Sequence, residues 1–184
     1  MDNKKQVEKY ISILKKWNKC INLLQGDTLE NILGRHITDS LQILDLLKSE
    51  EKILDIGSGA GFPGMVLAIN GFENIVLCEK SYKKTIFLLS VKKALNLNIS
   101  ILNDNIYNFK HKNYTCIARA FGSLLKLLEI MERLNSPKGV FHKGENYRQE
   151  IEEASRVFKF DFKPTESVTN RGSVILTIRN VGRR

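Results

Sequence analysis

Cysteine is scarce in this chain. Cys20, Cys78 and Cys116 are the only three in 184 residues, and their spacing matches no metal-binding pattern. Two of them fall inside predicted strands, so they read as buried free thiols of a reducing compartment. Histidine is equally rare, and His36, His111 and His142 form no ligand cluster in the sequence; no metal site is expected. No apolar run approaches the ~18 to 20 residues of a membrane span, and no secretory signal pattern opens the chain. A cytoplasmic protein without a membrane partner is the expectation. Repeats and low-complexity linkers are also missing, while 42% apolar content is enough to build a sizeable core. Acidic residues are in deficit: 20 against 29 Lys and Arg, a net charge of +9. That balance favours a polyanionic partner such as nucleic acid. Lys, Ile and Asn are all abundant, however, as in proteins from AT-rich genomes, so codon bias is a second source of the surplus.

What stands out against this background is residues 55–64, DIGSGAGFPG. An apolar run (Lys52-Ile53-Leu54) precedes them and another (Met65-Val66-Leu67-Ala68-Ile69) follows. The pattern is strand, glycine turn, helix. Glycines at 57, 59 and 61 allow a tight turn and close approach of a ligand to the backbone. The free N–H groups of the following helix start face that turn, and Pro63 suits a first helical position. A nucleotide-like cofactor is the natural tenant. Gly59-x-Gly61-x-x-Gly64 also satisfies the dinucleotide fingerprint, which keeps an NAD-dependent oxidoreductase in play. Two features pull the other way. Asp55 ends the strand before the first glycine, where its carboxylate can face the ammonium of an amino-acid moiety directly or through water. The chain beyond residue 64 is also too short for a full dinucleotide fold plus a substrate domain. S-adenosyl-L-methionine fits better, through a loop resembling D-x-G-x-G-x-G. A second apolar stretch, Asn74-Ile75-Val76-Leu77-Cys78, ends in Glu79, where an acid is placed to hydrogen-bond a ribose diol. Ser81 reads as the cap of the helix that follows.

Two parts are expected. Residues 1–48 form an N-terminal helical extension packed on the core. Val7, Tyr10, Ile11, Leu14, Trp17 and Ile21 recur at helical spacing, and Trp17 is assigned to packing. Asp27-Thr28-Leu29-Glu30 starts a second helix with a capping pattern and continues through Ile32, Leu33, Ile37, Leu41, Leu44 and Leu47. Residues 49–184 alternate strand and helix, which predicts an α/β fold with a mostly parallel sheet. Strands are expected at about 52–55, 74–79, 99–102, 114–118 and 138–142. The segments 157–168 and 173–179 are expected to form a terminal antiparallel pair, an ending that resembles that of Rossmann-like class I methyltransferases, the fold class expected here.

Further motifs make the chain resemble one family in particular. Trp17-Asn18-x-x-x-Asn22-Leu23, Arg35-His36-Ile37-x-Asp39-Ser40-Leu41, the loop at 55–64 with its trailing Pro-Gly, Ala118-Arg119-Ala120 and Lys143-Gly144 occur in order, and Arg171 precedes the last strand. This series is similar to that of the RsmG family (glucose-inhibited division protein B), which methylates ring nitrogen 7 of a guanine in 16S ribosomal RNA. The resemblance implies that Gly57, Gly59, Gly61 and Phe62 line the methionine part of S-adenosyl-L-methionine, with Glu79 at the ribose. Asn105 and Ile106 stand beside the adenine, although Asn103-Asp104-Asn105-Ile106 departs from the family's Arg-x-Glu. Arg119 sits at the mouth, touching cofactor or target. Arg119, Lys143 and Arg171 are the catalytic candidates, holding phosphates or the guanine's acceptor edge. Asn22, Arg35, His36, Asp39 and Ser40 fall to the substrate, with a competing role for His36 and Asp39 in locking the helical part to the sheet. The implied partner is 16S ribosomal RNA or the small ribosomal subunit, met by a monomer. A non-catalytic RNA-binding or ribosome-assembly module remains a third reading.

Overall fold

The computed structural model describes residues 3–24 and 31–184. The helix start expected at 27–30 lies outside the described residues. Seven strands form one sheet: β1 (Ile53–Ile56), β2 (Ile75–Cys78), β3 (Ser100–Leu102), β4 (Thr115–Arg119), β5 (Gly139–Lys143), β6 (Phe158–Glu166) and β7 (Val174–Arg183). Their order is β3-β2-β1-β4-β5-β7-β6. The first five run parallel, and the hairpin β6–β7 closes the edge by pairing antiparallel to β5. The central strands are apolar because helices cover both faces; all four residues of β1 are buried. No helix among the described residues is long and apolar enough to cross a membrane.

One face is covered by α1 (Asn3–Asn18), a short α2 (Thr38–Leu41), α3 (Gly64–Ile69) and α4 (Tyr82–Leu95). Tyr10, Ile11 and Leu14 of α1 share a core with Met65, Leu67, Phe87 and Leu88. Trp17 packs its ring edgewise on Phe87 at 6.0 Å. The other face carries α5 (Leu124–Arg133) and α6 (Tyr147–Ser155), whose Leu127, Leu128, Met131 and Ala154 pack with Phe141, Phe158 and Leu176.

The stripe from Ile32 to Leu47 is not one α-helix. A π-helical turn, Ile32–Ile37, runs into α2, and a 3₁₀ turn follows at Leu44–Leu46. Tertiary contacts accompany the wider winding. The His36 ring stacks on Phe62 at 5.1 Å and Asp39 pairs with Arg119 at 3.1 Å, while locally the Ser40 hydroxyl donates to the His36 carbonyl at 2.7 Å. Such π turns re-aim side chains and recur at functional sites. Ser81 does stand at the start of α4, but its hydroxyl caps nothing. Pro63 precedes the first residue of α3 by one position.

Candidate active site

Strand order reverses between β1 and β4, and α/β sheets bind their ligands at such a switch point, beyond the carboxyl ends of the strands. Here that crevice is built by the glycine loop. The Gly57 and Ser58 N–H groups both donate to the Cys78 carbonyl, at 2.9 and 3.2 Å, which ties the loop to the end of β2. Gly57 holds φ +68°, and a Cβ there would stand 2.4 Å from the Phe121 ring, so the loop after β1 and the loop after β4 close on each other only at glycine.

Asp55 takes a role other than the one expected. It is fully buried, and its Oδ2 accepts the Gly64 N–H at 3.1 Å. Rather than facing a ligand's ammonium, it braces the loop from beneath. Burial is the main cause that raises its carboxyl to about 7, with the Glu79 charge adding; the Gly64 hydrogen bond and the nearby Ser58 hydroxyl, which itself donates to the Asp55 backbone carbonyl at 3.1 Å, pull the other way. Its Oδ1 has no hydrogen-bond partner. The Tyr10 hydroxyl of α1 reaches the same loop and donates to the Ala60 carbonyl, a contact the sequence did not signal.

Glu79 links two loops. Its Oε2 accepts the Gly59 N–H at 2.9 Å and its Oε1 the Ser81 N–H at 2.7 Å. Each oxygen keeps a second lone pair for a hydroxyl donor. The segment that departs from the family pattern is also ordered by its own side chains. Asn103 donates to the Glu79 carbonyl and the Thr85 hydroxyl, both at 3.0 Å. Asn105 caps the 3₁₀ turn Ile106–Asn108 by accepting the Tyr107 N–H.

Between these loops lies a cleft of about 450 Å³ lined by Gly57, Glu79, Asn105 and Ile106, four of the expected cofactor residues. This is the size range of small-molecule sites. Lys80, Lys84, Tyr107, Phe121 and Lys126, which no sequence motif marks, stand on the same walls. Gly59 enters through its bond to Glu79. Gly61 and Phe62 turn inward: a Cβ on Gly61 would meet Met65 and Tyr10, and Phe62 is buried between Tyr10 and His36. Carboxylate, glycine backbone, apolar Ile106 and aromatic Phe121 together fit a nucleoside carrying an amino-acid chain.

A second cluster gathers the other candidates. Arg119, ending β4, pairs with the Asp39 carboxylate at 3.1 Å, both side chains nearly buried. Asp39 also accepts the Thr169 hydroxyl and the Gln42 amide, while its carbonyl meets His142 Nε2 at 2.8 Å. His142 is partly buried, and the loss of water around its ring lowers its pKa. One residue of α2 thereby joins two parallel strands to the turn of the β6–β7 hairpin. Arg171 is exposed on that turn, and Arg35 lines a surface hollow with Thr169 and Asn170. Lys143 is buried; it pairs with Glu150 at 2.6 Å and donates to the Gly122 carbonyl at 2.9 Å. Asn22 is exposed. Its neighbour in the motif, Asn18, shapes the turn by accepting the Leu23 and Leu24 N–H groups at 2.8 Å.

The family model described as GidB, rRNA small subunit methyltransferase G, matches residues 3–177. A ribosomal RNA small subunit methyltransferase G of Orientia tsutsugamushi (strain Ikeda) is 40% identical over 174 residues, covering 94% of this chain and 88% of that protein. One from Rickettsia felis is 37% identical over 178 residues, covering 96% and 93%. Among solved structures, a SAM dependent methyltransferase from Aquifex aeolicus shares the fold with a TM-score of 0.61 at 15% identity, over 91% of this chain and 98% of that one.

Proposed function

Because this chain belongs to the rRNA small subunit methyltransferase G family, we propose that it transfers a methyl group from S-adenosylmethionine to ring nitrogen 7 of a guanine in small-subunit ribosomal RNA, as a monomer in the cytoplasm. The observation that carries this reading is the cleft of about 450 Å³ at the switch point, with Glu79 bridging the loops after β1 and β2. Glu79 would hold the ribose, Asn105 and Ile106 the adenine, and the backbone from Gly57 to Gly59 the methionine portion. When bound, S-adenosylmethionine supplies an electrophilic methyl on a sulfonium.

Ring nitrogen 7 of guanine carries an in-plane lone pair and no proton, so its attack needs no general base. The carboxylates around the cleft agree with that chemistry. Glu79 is held by two backbone amides, and Asp104 by the Asn105 N–H and the Asn108 amide. The protein's work is then alignment of the base with the methyl and electrostatic support. Arg119 is the residue best suited to the guanine's acceptor edge, since a guanidinium fork matches two adjacent acceptors. Asp39 orients it. Lys143, with donors committed to Glu150 and Gly122, braces the loop after β4, and Arg171 meets phosphate from the hairpin turn. Family membership does not favour the oxidoreductase or the non-catalytic module.

The test uses small ribosomal subunits from a strain deleted for this gene. Incubated with the protein and methyl-labelled donor, they gain label at one guanine, and borohydride followed by aniline cleaves the RNA there. Absence of label, or label at a position resistant to scission, overturns the proposal.

A further inference from the structure

The chain's positive charge is not spread evenly over the fold. α1 carries five lysines against one glutamate, and α4 four lysines and no acid. These helices pack together: Lys9 donates to the Ala94 carbonyl at 2.7 Å, and Trp17 meets Phe87. On the other face of the sheet, α5 has two basic and two acidic residues, and α6 one arginine against three glutamates. Codon bias would enrich lysine in both layers alike. The asymmetry therefore belongs to the surface rather than to the genome.

From this asymmetry we infer that the outer face of α1 and α4 is an RNA-docking surface that grips the phosphate backbone of the substrate. The identification of the polyanion as RNA rests on the methyl-transfer reading. Lys5, Lys9 and Lys16 are spaced by four and seven, which aligns them on one stripe of α1. The fourteen residues of α4 extend this basic face by about 21 Å. Its first turn stands at the cleft, where Lys80 and Lys84 form part of the wall. Tyr82, 68% exposed, lies between Lys80 and Lys84, and Leu89, 43% exposed, between Lys84 and Lys93. An exposed aromatic among cations is the arrangement on which single-stranded bases stack while phosphates are neutralised.

The test measures binding of a labelled small-subunit ribosomal RNA transcript by fluorescence anisotropy over a range of salt. Three proteins are compared: wild type, K5Q/K16Q/K93Q on the basic face, and R148Q/R156Q/K159Q on the opposite side as a charge-matched control. Each phosphate contact contributes about 0.7 to the slope of log K against log salt for single strands. The first variant should lose about 2 from the slope and the control nothing, with S-adenosylhomocysteine affinity by calorimetry equal in all three. Unchanged slopes in both variants, or equal losses in both, would overturn the surface. Wild type that takes up no S-adenosylhomocysteine defeats the methyl-transfer reading by itself, and the slope comparison still decides where RNA binds.

Discussion

The carboxyl of Asp55 makes the stability of this fold depend on pH in a direction opposite to that of most acidic side chains. It lies wholly out of water beneath the glycine loop, and its pKa rises from 3.8 to about 7. A raised value means that the folded state binds the proton more tightly than the unfolded one. The associated stability is complete below about pH 4 and is lost as pH climbs through about 7. Each unit between the two values is worth about 1.4 kcal/mol, so from pH 5 to pH 8 the loss is about 3 kcal/mol. Asp55→Asn removes the titration. Whatever fixed cost the amide brings, the gap between wild type and variant should move by about 3 kcal/mol in the variant's favour over that interval. Urea unfolding followed by circular dichroism at four pH values measures it. A gap that stays constant with pH would show that Asp55 is charged throughout and would refute the reasoning.

Three further outcomes follow from the geometry. Gly57→Ala forces a Cβ to within 2.4 Å of Phe121 at a positive φ; S-adenosylhomocysteine affinity should fall at least tenfold by calorimetry, and wild-type affinity would remove Gly57 from the cleft. Arg119→Ala should lower kcat for RNA methylation by a factor of ~10² or more while the protein still unfolds cooperatively, and retained turnover would exclude Arg119 from the reaction. Glu150→Ala leaves Lys143 without its ion-pair partner and the Leu124 N–H without its acceptor, so chemical denaturation should register a loss of about 3 kcal/mol; a change below about 1 kcal/mol would mean the pair is solvated.

The parallel strands were readable because burial on both faces leaves short apolar runs between polar turns. The run expected at 52–55 is β1 at Ile53–Ile56, and the one at 138–142 is β5 at Gly139–Lys143. The hairpin announced itself in the same way, as two β-prone segments with no helix between them. The π turn at Ile32–Ile37 did not, because no local propensity encodes it; it accompanies long-range contacts of His36 and Asp39. At the site, the glycine loop and Glu79 were legible because their spacing is local. Phe121, Tyr107 and Lys84 were not, since separate crossover connections deliver them to the cleft. Asp39 was visible as a motif residue with two competing roles. Its pairing with Arg119 and Thr169 supports the locking role, and helix periodicity alone does not reveal such a partner.

Methyl transfer by this protein requires an adenosyl amino acid in the crevice beyond β1 and β2. Isothermal titration of the folded protein with S-adenosylhomocysteine, run in parallel with NADH, addresses this directly. Saturable one-to-one binding of the first, weakened at least tenfold in Gly57→Ala, and no heat from the second is the expected result. Binding of NADH alone, or of neither compound, would contradict it.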